Sequence, residues 1–340
     1  MNKFKLKLNK IPEDRNYWFV RTNDGKYFQN FYFKNFISTE YNEVPVELVK
    51  NNNKKVAMDV IKEEYPKHGN PGLIYTHLNR FINEMKAGDI VLVPSAKSEI
   101  IAFGKIIDDN LMTIKNEDEI NFEEDSYFFK YKRKIKWLNH FEKENIDIYL
   151  MKLLNSHLTI SNANNYSNYI DRTLYNFFKK GDQYFFNLYI QKQDDIPAIY
   201  FSKFLTSISN VIENSSNKID IEYDILDLNL KTNVNSPGIL ELSGKIATVL
   251  PISLAIVGIL GGEIEVKGLK LQTEGLIEKL IKIYETINKE NSKIEDKQKD
   301  FKKLNQNIKE LEKQMKNLQI DLKQIKEKND ITQEKNSEEN

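Results

Sequence analysis

Phe128-Phe129-Lys130-Tyr131-Lys132-Arg133-Lys134-Ile135-Lys136-Trp137 alternates along its length. Successive side chains of a strand point to opposite faces, so Lys130, Lys132, Lys134 and Lys136 share one face while Arg133, Ile135 and Trp137 share the other. Outward from this strand, residues 90–94 and 100–107 read as a hairpin around Ser95-Ala96-Lys97-Ser98. Residues 17–21 and 36–41 read as further strands, the first closed by the turn Asn23-Asp24-Gly25. Residues 54–65 and 73–85 carry helical spacing, the second ending in Lys86-Ala87-Gly88-Asp89. Residues 1–140 are therefore expected to form one α+β module.

A middle α+β unit is expected over 141–245. Within it, 166–180 has helical spacing up to Gly181-Asp182, 183–191 is an aromatic-rich strand and 197–214 a helix with Pro197 at its start. Residues 219–230 alternate as a half-exposed strand, and 239–242 form a short one. From Ile246 to Gly262 no charge occurs, and Lys245 and Glu263 bracket the run. A spanning helix needs about 20 apolar residues, with a range of roughly 17–25. This run sits at the short edge and carries Pro251, Gly258, Gly261 and Gly262. Burial in a core or an oligomer interface is the expectation, and membrane contact the alternative. Residues 246–272 thus read as an apolar helix and a hairpin turning at Lys267-Gly268.

Residues 273–328 carry a heptad pattern. Leu280, Ile287, Ile294, Phe301, Ile308, Met315 and Leu322 take the a positions; Leu276, Ile283, Leu304, Leu311, Leu318 and Ile325 take d. Glu290 and Lys297 interrupt the d series. Such a repeat predicts a coiled coil, with β-branched a and Leu d residues favouring a parallel homodimer. The alternative is a single helix laid along its own domain. Residues 329–340 have nothing to bury and are expected to be disordered.

Composition removes several chemistries. The 340 residues carry 50 Lys+Arg against 50 Asp+Glu, so no global field advertises a polyanionic or polycationic partner. There is no Cys, which excludes thiol catalysis, disulfides and thiolate-held metals. The first residues contain no apolar core of a secretory signal, so a cytoplasmic location is expected. His68, His77, His140 and His157 lack ligand spacing and read as surface or hydrogen-bonding residues, and neither metal nor cofactor is expected. One catalytic pattern is present. Glu265 and Lys267 with Asp224 or Asp227 supply the carboxylates and lysine of a Mg-dependent nuclease. An exposed hairpin looks the same.

Four ammonium groups at strand spacing track a phosphate backbone. The competing reading is an edge strand kept soluble by lysines. Trp18, Tyr41 and Trp137 lie on or beside neighbouring strands, and aromatics flanking a slot grip an unstacked base.

Asn16-Tyr17-Trp18-Phe19-Val20-Arg21, the aromatic-rich 27–35, the strand to Tyr41, Gly88-Asp89-Ile90-Val91-Leu92-Val93-Pro94-Ser95, Ile101-Ala102-Phe103-Gly104-Lys105-Ile106 and Arg133-Lys134-Ile135-Lys136-Trp137-Leu138 together resemble a PUA-like (EVE/YTH-type) domain. The closest flavour stands at the N-terminus of Mrr-like and other modification-dependent restriction proteins. The resemblance covers about residues 1–140 and extends weakly to 182. It implies a pseudo-barrel whose pocket reads a modified or flipped base, drawing on Trp18, Tyr41, Ser95 and Trp137 with Arg21 at the rim. Thr39-Glu40-Tyr41 stands where the family often has Gly-Trp, a departure that removes indole area. The resulting expectation is a non-catalytic nucleic-acid sensor, of DNA rather than RNA, oligomerising through its C-terminal helix. A role in antiviral defence, with partner defence proteins, follows from the resemblance alone. The alternatives are a membrane-acting effector inserting 246–262 and the nuclease.

Overall fold

The computed structural model describes residues 5–114, 127–192, 194–216, 225–232, 238–266, 269–271 and 297–322. The chain forms two compact units, one of Asp14–Leu174 and one of Met1–Glu13 with Tyr175–Gln324. Both mix strands and helices. Strands β1 (Lys5–Lys7) and β2 (Asn9–Ile11) belong to the second unit. The first unit begins β3 (Tyr17–Val20), α1 (Phe28–Lys34), β4 (Phe36–Ser38), α2 (Val46–Lys50), α3 (Lys54–Glu64) and α4 (Pro71–Asn79). It continues β5 (Ile90–Pro94), β6 (Ile100–Ile106), β7 (Met112–Thr113), β8 (Tyr131–Glu142), α5 (Met151–Leu154), β9 (Ile160–Asn162) and α6 (Ser167–Leu174).

Its sheet runs β4-β8-β6-β5-β3-β9, with β7 also on β8, and curves into a half-barrel. Among the described strands of this sheet, only β3 and β5 pair in parallel. All five residues of β5 are buried, which is why Ile-Val-Leu-Val reads as a continuous apolar run. In β8, Tyr131, Arg133, Ile135 and Trp137 are buried, whereas Lys134 and Lys136 are exposed. The strand is not an edge. Its first residues pair with β4 on one side and with β7 on the other, and β6 continues that second side. Protection of a free edge therefore does not explain Lys132 and Lys134. Gly104 of β6 lies where a Cβ would stand 2.3 Å from Ile135 Cγ2 and 2.8 Å from Trp137, so the ring packs against bare backbone.

The second unit adds β10 (Phe177–Lys180), β11 (Gln183–Ile190), α7 (Ala198–Ser216), β12 (Asn229–Thr232), β13 (Gly238–Gly244) and α8 (Ile246–Ile259). It closes with β14 (Glu263–Val266), β15 (Leu269–Leu271), α9 (Lys297–Leu318) and β16 (Ile320–Asp321). One sheet runs β12-β13-β11-β10-β2 with β16 on β11, and another runs β1-β14-β15. The expected helix over 166–180 stops at Leu174, and residues 177–180 become a strand. Phe178 stacks on its cross-strand partner Phe185 at 4.7 Å and Phe177 meets Phe186 edge-on, so aromatic cross-strand pairs override helical spacing.

Every residue of α8 from Thr248 to Val257 is buried, in a core shared with Phe204, Ile208 and Leu240. A helix apolar on all sides needs cover on all sides, and here its own unit supplies it. Among the described residues no helix is long and apolar enough to cross a membrane. The heptad seam also finds cover within the chain. Leu304, Leu311, Met315 and Leu318 are at most 2% exposed, in the same core as α7 and α8. Over this stretch the seam packs on the chain's own α7. Residues 273–296 and 323–328 of the expected coiled coil, and the tail 329–340, lie outside the described residues.

Two substitutions test this packing. Leu311→Ala is expected to lower unfolding stability by about 2–5 kcal/mol. Because its neighbours come from the same chain, the loss in urea denaturation should not depend on protein concentration. Gly104→Ala is expected to cost about 1–3 kcal/mol by overpacking against Ile135 and Trp137.

Candidate nucleic-acid interface

A cavity of about 330 Å³ opens in the first unit. The segment after β3 contributes Arg21, Asn23, Asp24 and Tyr27, and the end of β4 contributes Ser38, Thr39 and Glu40. His157 and Thr159, just before β9, close the third side. Its volume falls at the lower end of the ~300–1,000 Å³ usual for small-molecule pockets.

A tight turn builds the first wall. Asn23, Asp24 and Gly25 all have positive φ (49°, 56° and 89°). A Cβ at Gly25 would lie 2.2 Å from the backbone nitrogen of Ala96, so only glycine allows the turn to lie against the β5–β6 connection. Consecutive left-handed residues with side chains are costly and tend to gather where ligands bind. Beside the turn, Arg21 Nη1 donates to Ser156 O at 2.7 Å and Nη2 lies 3.7 Å from Asp24 Oδ1, which fixes the guanidinium at the rim. The Asn23 amide donates to Tyr27 Oη at 3.2 Å, and the Tyr27 hydroxyl donates to Glu40 Oε2 at 3.1 Å. Burial, with the nearby Glu40 charge adding to it and the Asn23 hydrogen bond opposing it, raises the Tyr27 pKa above the usual phenol value. The hydroxyl therefore stays a donor at neutral pH.

Ser38 hydroxyl donates to Tyr131 O at 2.6 Å, tying the second wall to β8. Thr39 is 3% exposed, and its hydroxyl has no hydrogen-bond partner among the described residues. Asn42 bonds the Lys130 amide and the Phe128 carbonyl, at 2.9 and 3.1 Å, and so sets the entry to the lysine strand beside this loop. Ser38 is the cross-strand partner of Lys132 and Phe36 that of Lys134. Directly opposed residues share a face, so the cavity wall and the lysine row stand on the same side of β4 and β8. The Lys132 ammonium lies 4.6 Å from the centre of the Phe36 ring.

The five expected pocket residues separate. Arg21 lines the cavity. Tyr41 backs it, with its hydroxyl 3.4 Å from the Thr159 hydroxyl. Trp18 is 1% exposed and donates its indole N–H to Asp89 at 2.8 Å; the same carboxylate accepts from the Asn16 and Lys86 amides at 3.0 Å each. Ser95 accepts from the Ile100 amide at 2.8 Å, closing the hairpin. Trp137 packs on Tyr32 at 5.3 Å, and its indole N–H has no partner among the described residues. Sequence reasoning missed Asn23, Asp24, Tyr27, Ser38, Thr39, Glu40, His157 and Thr159 as cavity residues. The signals for them were the Asn-Asp-Gly turn and the Thr39-Glu40 departure, both of which mark where the chain leaves a strand.

The nuclease candidates do not converge in what is described. Asp227 pairs with Lys245 at 3.0 Å, and Glu265 stands in β14 between the register positions of Lys7 and Lys270. Asp224 and Lys267 lie outside the described residues, and among the described residues no three His, Asp or Glu side chains gather as a metal site.

Two histidines are core residues rather than surface ones. His140 lies with its Nδ1 3.3 Å from the Tyr32 hydroxyl. His77 is 1% exposed, neither of its ring nitrogens has a hydrogen-bond partner among the described residues, and the ring stacks on Tyr41. Burial first, then the positive charges of Arg80 and His68, lower its pKa from 6.5 to about 4. The native state holds His77 neutral, whereas the unfolded chain takes up a proton near the ordinary value. Its contribution to stability is complete above about pH 6.5 and is lost as the pH falls toward 4. His77→Phe keeps the ring without the titration, so its denaturation midpoint should fall less than the parent's over that interval. Parallel pH curves would refute this.

Residues 18–177 match the model of a family described as a domain of unknown function (DUF8426), a stretch nearly coextensive with the cavity-bearing unit. No curated protein and no solved structure matches the chain.

Proposed function

We propose that residues 14–174 form a PUA-like module that reads nucleic acid, DNA in preference to RNA, by taking one base into the cavity while the lysine row holds the backbone. One observation carries this reading. The cross-strand pair Ser38–Lys132 sets the cavity wall and the cationic row on one face of the same two strands. A strand with a base displaced into the cavity keeps its phosphates outside it, and Lys132, Lys134 and Lys136 recur at the spacing of alternate strand residues to meet them. Phosphate contacts position without reading sequence, whereas the polar cavity supplies the contacts that discriminate.

The wall chemistry agrees with a base edge rather than with an apolar ligand. Arg21 donates, Glu40 and Asp24 accept, and the Thr39 and Thr159 hydroxyls do either. Tyr27 and His157 add ring faces at the margin. The binding free energy divides accordingly into a salt-sensitive part from the lysines and a salt-insensitive part from the cavity.

That division gives the test. In fluorescence anisotropy with single-stranded DNA, replacing Lys132, Lys134 and Lys136 together by Ala should weaken all sequences alike. The slope of log affinity against log salt should become shallower by about 2, because each phosphate neutralised on a single strand contributes about 0.7. Arg21→Ala should leave that slope unchanged and reduce differences between oligonucleotides, modified and unmodified bases included. Absence of any salt-dependent binding by the unmodified protein would sink the proposal.

A further inference from the structure

Two groups in the cavity wall are set up to receive a ligand. The first is the Glu40 carboxylate. Its Oε2 accepts from Tyr27, which itself accepts from Asn23, and among the described residues Oε1 has no hydrogen-bond partner. The relay is stiff because the Tyr27 ring is clamped edge-on by Tyr127 and Phe129, both at 5.1 Å. The second is the Thr39 hydroxyl, in a residue that is almost wholly buried and without a hydrogen-bond partner among the described residues. A buried polar group left unmade is expensive, so turning the Thr39 side chain to meet a ligand atom in the cavity is favoured.

An ionised carboxylate only accepts hydrogen bonds. Cytosine N4, adenine N6 and guanine N2 are amines that donate, while the exocyclic positions of uracil and thymine are carbonyls that would face Glu40 acceptor to acceptor. The neighbouring hydroxyl of Thr39 serves either a ring nitrogen that accepts, as in cytosine and adenine, or one that donates, as in guanine. Building on the base-reading function above, we propose that the cavity selects bases bearing an exocyclic amine over uracil and thymine. Glu40 accepts from the amine, and Tyr27 is its positioning residue.

The experiment uses the full chain and single-stranded DNA probes in which one base stands between abasic spacers, so that only that base can enter the cavity. Cytosine, adenine and guanine probes are expected to bind roughly tenfold to hundredfold more tightly than the uracil probe. Glu40→Gln, which can donate as well as accept, should narrow that ratio. Tyr27→Phe, which keeps the ring packing but frees the carboxylate, should also narrow it. Glu40 is exposed, so its variant should melt with the parent, and this control separates recognition from folding. Uracil bound as tightly as cytosine, with both above the abasic probe, would overturn the amine selection and leave base reading standing. No base binding better than the abasic probe would overturn base reading itself. An unchanged ratio in Glu40→Gln would remove Glu40 from the recognition.

Discussion

A buried guanidinium holds the cavity-bearing unit in register. Arg133, 1% exposed, donates from Nε to Phe81 O at 2.6 Å, from Nη2 to Ile82 O at 2.9 Å and from Nη1 to Asp109 O at 3.2 Å. The first two carbonyls belong to the π-helical turn Arg80–Glu84 that follows α4, the third to the loop after β6. Burial lowers the Arg133 pKa, and Asp109, Asp108 and Asp89 oppose that shift. A strand presents its side chains alternately, so placing Arg133 inward obliges Lys132 and Lys134 to face outward. A slip of one residue would bury the lysines and expose the guanidinium, reversing both faces at once.

The cavity inherits its position from that register. Ser38 lies opposite Lys132 because β4 pairs with β8, and the following Thr39 and Glu40 are delivered to the rim as the strand ends. The opposing wall depends on a turn in left-handed conformation, tolerated because Gly25 lies against the Ala96 backbone. Sheet register and left-handed turn together fix the backbone from which the polar groups of the cavity project.

The other unit solves a different problem. An uncharged helix containing Pro251 has to be covered, and α7, α9 and the six-strand sheet do so. The heptad spacing of α9 lets one helix lay a continuous apolar stripe along this assembly. A stripe of that kind serves intramolecular packing as readily as a dimer seam, because both ask only for apolar side chains on one helical face.

Local pattern alone determined the mixed α+β class, the hairpin of 90–106, the alternation of β8 and the burial of the run after Lys245. Each of these depends on periodicity or on a turn within a few residues. Tertiary structure decided what covers each apolar face and which polar groups meet. Trp18 looked like a base-stacking residue until Asp89 was found to hold its indole N–H, across 71 positions of sequence. The α9 seam read only as a face to be covered, and the structure lays α7 against it. The strand 177–180 read as helix until Phe185 and Phe186 were found across from it. The cavity joins segments around 23, 39 and 158, and no short-range spacing could have related them. Periodicity says that a face must be buried. Chain closure over long separations chooses its partner, and that choice separates a core residue from a site residue.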